Sequence, residues 1–105
     1  EWKRIENNKI PNYFFREDRR NLYIAAIYEN NEFCLITEKA SSNISDIHHR
    51  QPVLLNENDI NKFLNLEIDA KSFLKERKIP DLNFYEISKE VNKPTNNNQS
   101  LLQKI

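Results

Sequence analysis

Both histidines of the chain stand side by side in "SDIHHRQPVLL" (45–55), followed by an arginine, a proline and an aliphatic run. An imidazole, with an unperturbed pKa of about 6.5, both accepts and donates a proton near neutral pH. A guanidinium offers a planar fork that binds a phosphate through two hydrogen bonds. Residues two apart on an extended segment project to the same side, so His48 and Arg50 would set a proton-transfer group beside an anion hook. The same residues also fit a solvated polar loop, the commonest place for adjacent histidines. A metal site fits less well, because neighbours on an extended segment point apart and no cysteine or third ligand is placed to join them. A second group opens the chain, where "EWKR" sets the Glu1 carboxylate and the Trp2 ring ahead of Lys3 and Arg4. Unaided, Glu1 reads as a frayed end, Trp2 as a core or edge anchor, and Arg50 as a surface charge or a cap on an acid.

The elements that must position these groups are short. "NYFFRE" (12–17), "NLYIAAIYEN" (21–30) and "NEFCLIT" (31–37) are rich in β-branched and aromatic residues and read as three successive antiparallel strands. The connections "DRRN" and "ENNE" carry the Asp and Asn that tolerate tight turns without glycine. "EKASSNISDI" has a weak helical period through Ala40, Asn43, Ile44 and Ile47, enough for one or two turns leading to the histidines. "PVLL" (52–55) is a short strand. "NENDINKFL" predicts a helix with Asn56 as N-cap and Ile60, Phe63 and Leu64 on one face. "DAKSFLKERK" (69–78) predicts another, Asp69 near its start, Phe73 and Leu74 inward and Pro80 past its end. "NFYEIS" (83–88) is a last strand, and the remainder is an irregular tail with Pro94 as a stop. The sum is one α+β domain, an antiparallel β-meander or barrel-like sheet with short helices packed on it. Tyr23, Tyr28, Phe33, Phe63 and Phe73 are the expected core aromatics.

Composition narrows the function classes. With 16 Lys and Arg against 16 Asp and Glu the net charge is zero, so a polyanion would have to be held by a local cluster rather than by a general field. A tail-like or histone-like binder is excluded. One cysteine, Cys34 within "FCLIT", forms no internal disulfide and reads as a small buried hydrophobe in a reducing, intracellular setting, with no signal peptide or membrane span expected. The chain has no Met and starts with Glu, which points to a portion of something longer.

Several of these stretches, in order, carry a family pattern. "EWK", "LYIAAIYE", "FCLITEKA", "ISDIHHRQPVLLNENDINKFL" and "YEISKEVNKPTNNNQSLLQKI" follow a "FYEW" block, a "LAGLWE"-like strand, "TILTT-x-AN", "IH-x-R-MPV-I-L", a "W-L" helix and "VS-x-x-VN-x-P-x-N". Over essentially its whole length the chain resembles the second half of the SOS response-associated peptidase (SRAP) family, the abasic site processing proteins. The resemblance makes Glu1 and His48 the catalytic pair, Arg50 a contact to DNA phosphate, Thr37 the first threonine of "TT", and Pro52 and Val53 the "PV" of the signature. Departures are His49 for Asp, Gln51 for Met, Ala26 for Gly, Glu38 for the second Thr and Ser41 for Asn. The family's nucleophile, a cysteine exposed by removal of the initiator methionine, and its Asn-Ala-Arg and "WGL-x-P-x-W" segments have no counterpart among these residues.

What the resemblance implies is covalent capture of abasic sites in single-stranded DNA, with associated autoproteolytic and lyase-type activity, during DNA damage and the SOS response. It implies no cofactor and no metal. The N-terminal cysteine would condense with the ring-opened aldehyde and close a thiazolidine. His48 would move the protons that open the sugar hemiacetal, and Glu1 would serve the amine and its iminium. Trp2 would stack on a base, while Lys3 and Arg4 would add phosphate contacts. The implied partners are single-stranded DNA bearing abasic sites and the N-terminal half of the same domain, with no membrane; the implied location is the cytoplasm or nucleoid. The alternative, from another class, is a divergent or truncated relative that persists as a non-catalytic DNA-binding or structural module.

Overall fold

The structure, a computed structural model, describes residues 1–65 and 69–105. Among the described residues nine strands and two α-helices follow one another as β1 (Trp2–Ile5), β2 (Asn8–Arg16), β3 (Tyr23–Ile24), β4 (Ala26–Glu29), β5 (Glu32–Leu35), β6 (Thr37–Lys39), β7 (Arg50–Pro52), β8 (Leu54–Leu55), α1 (Glu57–Leu64), α2 (Ala70–Glu76) and β9 (Leu82–Glu86). Every strand pair is antiparallel, and with the two helices this is an α+β fold. The described residues form no closed barrel. None of their helices is long and apolar enough to cross a membrane.

The meander does not form as the sequence suggests. Residues 12–16 lie at the end of β2, which pairs with β1 on one side and with β9 on the other. The partner of β2 is set by aromatic matching rather than by proximity in the chain. Phe14 meets Phe84 at 5.1 Å and Tyr13 meets Tyr85 at 5.6 Å across the β2–β9 ladder. At the end of β2, buried Arg16 holds Asp18 at 2.7 Å and Glu57 at 3.0 Å, which turns the chain out of the sheet.

The next three extended segments, 23–29, 32–39 and 50–55, each break at one residue and change partner there. The amide of Ala25 donates to Val53 (2.9 Å), that of Val53 to Ile36 (2.8 Å), and that of Ile36 back to Ala25 (3.0 Å). This closed ring of three hydrogen bonds joins the pairs β3–β8, β4–β5 and β6–β7 without leaving a buried amide unpaired. Ala25, Val53 and Leu55 form the core there, with Tyr23, Ile36, Phe63, Phe73 and Leu74 packed against it. The inward roles of Tyr23, Phe63, Phe73 and Leu74 therefore match the sequence pattern.

Two expected core aromatics are not in the core. Tyr28 and Phe33, 72% and 73% exposed, face each other near the tip of the β4–β5 hairpin, which turns through Asn30 and Asn31 at φ 50° and 63°. Cys34 is exposed beside them rather than buried. Alternation gave this hairpin an apolar face, but no described element lies over it. The radius of gyration, 15.7 Å, exceeds the ~13 Å of a compact domain of this length, in keeping with a projecting hairpin.

Asn56 takes the N-cap position of α1 but sends its side chain to the carbonyl of Lys78 (2.9 Å). Asp69 caps α2, accepting from the Ser72 hydroxyl and the Lys71 amide, and these bonds hold its carboxyl below the ordinary carboxylate range. The tail is less irregular than its sequence suggests. It makes two short 3₁₀ turns (Lys89–Asn92 and Gln99–Leu102) and returns to the sheet by a bridge between Ile87 and Lys104.

Candidate functional site

Glu1 extends the β1–β2 ladder, exchanging main-chain hydrogen bonds with Asn12 at 2.7 and 3.1 Å. Pleating puts Trp2 and Arg4 on one face of β1 and Lys3 on the other. Across the hairpin, Trp2 lies opposite Pro11 and Arg4 opposite Lys9. The Trp2 indole N–H donates to Asn92 Oδ1 at 2.8 Å, so the "VN" of the tail fixes the ring.

The second wall comes from the segment before β7. Residues 42–47 form turns that bury Ile44 and Ile47 and deliver His48 half-buried at their end. Its ring is anchored by Arg50, whose amide nitrogen and carbonyl oxygen lie 3.1 and 3.0 Å from Nδ1. Either tautomer therefore finds a partner. With Nδ1 accepting from the amide, Nε2 carries the proton; with Nδ1 donating to the carbonyl, Nε2 is free to accept one.

These two walls enclose a cavity of about 480 Å³ lined by Glu1, Trp2, Arg4, Lys9, Ser45, Ile47, His48 and His49. The structure thus brings together Glu1, Trp2 and His48, residues from opposite ends of the chain's first half. His49 stacks on His48 with centroids 4.5 Å apart and lines the same cavity, so it is part of the site's surroundings rather than a detached loop residue. Lys3 is not brought to the cavity. Arg50 and Thr37 do not line it either and form a unit of their own, Arg50 Nη2 donating to the Thr37 carbonyl (2.8 Å) and hydroxyl (3.0 Å). That bracing leaves the rest of an exposed guanidinium to meet an anion.

A larger concavity, about 710 Å³, lies around Arg16, Asp18 and Glu57. Its buried cation, Arg16, is already matched by two carboxylates. Asp18 is held below the ordinary carboxylate range chiefly by the Arg20 amide and then by Arg16. Glu57 is lowered chiefly by its own amide at the start of α1, with Arg16 adding to it. Among the described residues no three His, Cys, Asp or Glu side chains are grouped to hold a metal ion.

Several departures from the family pattern turn out to be paired. Gln51, buried, accepts the Ser41 amide at 2.9 Å on Oε1, with the Ser41 hydroxyl 3.1 Å from the same oxygen. The two substituted positions thus support each other and pin the turn that carries His48. Glu38 meets Arg77 at 2.5 Å, tying β6 to the end of α2. Sequence reasoning named neither Lys9 nor Asn92 as part of a site. Asn92 was visible in the tail motif, whereas Lys9 had only its register opposite Arg4 to mark it.

The sequence model of the SOS response associated peptidase (SRAP) family matches residues 1–94. Abasic site processing protein YMR114C of Saccharomyces cerevisiae is 25% identical, the alignment covering 100% of this chain and 33% of the yeast protein. Abasic site processing protein YoqW of Bacillus subtilis is 28% identical over 98% of this chain and 52% of its own length. A crystal structure of a protein from Bacteroides thetaiotaomicron superposes with a TM-score of 0.83 at 26% identity, covering 100% of this chain and 52% of that one. The chain thus spans about half the length of these bacterial proteins, and less of the yeast one.

Proposed function

The chain belongs to the SOS response associated peptidase family, and on that premise we propose that its Glu1–His48 cavity receives an abasic nucleotide of single-stranded DNA. The observation that carries the reading is the convergence of a carboxylate, an imidazole and an aromatic face on one cavity bordered by two cations, Arg4 and Lys9. These are the groups that proton transfer on a flipped-out sugar needs.

His48 Nε2 takes the proton of the anomeric hydroxyl and returns one to the ring oxygen, which frees the aldehyde. Nδ1 stays protonated during that exchange and donates to the Arg50 carbonyl, which holds the ring in the tautomer whose Nε2 accepts. Glu1 receives the proton of the attacking amine and stabilises the iminium charge. Amine and thiol come from the N-terminal cysteine of the family's first half, for which residues 1–105 hold no counterpart. Cys34 lies on the hairpin and lines no part of this cavity. Trp2 stacks on a base, Arg50 braced by Thr37 binds a phosphate, and Lys3, on the opposite face, adds only longer-range attraction. In this reading residues 1–105 are the C-terminal portion of one domain, and the bare apolar face of the hairpin packs against the first half. A protein acting on such DNA works in the cytoplasm or nucleoid, and the lyase and peptidase activities belong to the same family reading.

The protein carrying both halves, incubated with single-stranded DNA bearing one abasic site, is expected to give an adduct that survives denaturation. His48→Ala is expected to slow its formation by about 10²-fold or more, the usual worth of general acid–base catalysis. Equal rates in that variant would remove His48 from the mechanism. DNA binding with no adduct in either protein would favour the non-catalytic module instead.

A further inference from the structure

The register of the β1–β2 hairpin places Arg4 directly opposite Lys9. Cross-strand neighbours of like charge repel and weaken a ladder. Both side chains are exposed, and among the described residues neither has an ion pair or a side-chain hydrogen bond. The opposition alone would not make a site, since Glu29 and Glu32 are paired the same way at the other hairpin. What distinguishes Arg4 and Lys9 is their place on the wall of the cavity that holds Glu1 and His48. Two fixed cations and two imidazoles there face a single carboxylate, in a chain whose total charge is zero. The excess is local, as a neutral protein that binds a polyanion requires. Trp2 lies on the same face, two residues from Arg4 along the strand, about 7 Å at the usual rise.

We propose that Arg4 and Lys9 form a two-pronged grip for a DNA phosphate next to the nucleotide in the cavity, separate from the phosphate contact of Arg50. The inference rests on the reading that the cavity receives DNA. The pair tolerates its mutual repulsion because the bound phosphate neutralises it. Lys9 thereby becomes a binding residue on the β2 side of the hairpin, and a base on Trp2 is followed along the strand by a phosphate on the pair.

The test is fluorescence anisotropy of the protein carrying both halves of the domain with a labelled single-stranded oligonucleotide carrying one tetrahydrofuran abasic analogue, over a series of KCl concentrations. Each phosphate contact on a single strand contributes about 0.7 to the slope of log K against log salt, so Arg4→Gln with Lys9→Gln, which together release one phosphate, should reduce the slope by about 0.7. Arg4→Lys and Lys9→Arg should keep the slope of the parent chain. Lys62→Gln on α1, outside the cavity, serves as the control for net charge and should leave the slope nearly unchanged. Thermal melts supply a second readout: each neutral variant should melt no lower than the parent at low salt, any advantage fading as salt screens the repulsion. An unchanged slope in the double variant, or an equal drop in Lys62→Gln, overturns the grip while leaving the DNA reading intact. Failure of the parent protein, with both halves present, to bind the oligonucleotide overturns the DNA reading and the grip with it.

Discussion

The ring of Ala25, Ile36 and Val53 and the β4–β5 hairpin are built from the same strands, yet they have opposite surroundings. At the ring Ala25 and Val53 are each 2% exposed and helices α1 and α2 supply Phe63, Phe73 and Leu74 as cover. A few residues further along the same strands, Ile27, Tyr28, Phe33 and Leu35 stand in the open. Hydrogen-bonded pairing is equally regular in both places. The difference shows that pairing and burial are separate contributions: a ladder satisfies the backbone, but apolar side chains stabilise only where a second layer removes them from water.

The largest effect should come from emptying the covered end. Leu55→Ala removes most of a core side chain that is 3% exposed, and is expected to lower unfolding free energy by about 4 kcal/mol in a denaturant titration. A loss below about 1 kcal/mol would mean that the junction is not the stable part of the fold. Next, Glu38→Ala strands the buried Arg77 guanidinium and should cost about 3 kcal/mol, towards the low end for a broken buried pair because Glu38 itself is partly open. Restored stability in the double variant with Arg77→Met would tie that loss to the unpaired charge.

Acid should act where β2 leaves the sheet. Asp18 and Glu57 are lowered in the folded state, so their contribution is full above the unfolded carboxylate pKa and disappears as pH falls through the folded values. The thermal midpoint should therefore decline between about pH 5 and pH 2, and Arg16→Gln should flatten that decline. The smallest effect belongs to the hairpin. Phe33→Ser should change stability of this chain by no more than about 0.5 kcal/mol while reducing its self-association in sedimentation measurements. A larger loss of stability would show that the hairpin face is covered in solution.

The sequence was most legible where the information is local. Strand segments at 21–30 and 31–37, the Asn-Asn turn and both helices are found within a few residues of their expected bounds, because alternation and capping act over short spans. Glu1 and His48 were recognisable from their motifs, and the cavity does bring them together. Three things were not legible, each because it depends on a distant partner. β2 prefers β9 to the strand that follows it, since Phe84 and Tyr85 complete its aromatic ladder. The exposure of Tyr28, Phe33 and Cys34 depends on what lies above the hairpin, which periodicity does not encode. Ser41 with Gln51, and Glu38 with Arg77, looked like isolated departures because their contacts span ten and thirty-nine residues.

The chain's single tryptophan sits at the rim of the cavity, 43% exposed, with its indole nitrogen tied to Asn92. All tryptophan emission therefore originates at one spot, where the tail, the first hairpin and the cavity mouth meet. An unmodified sample carries its own optical reporter there. Release of the tail would free the indole N–H to water and shift the emission colour, whereas a nucleobase stacked on the ring would quench its intensity, so two events at one residue are separable in a single spectrum.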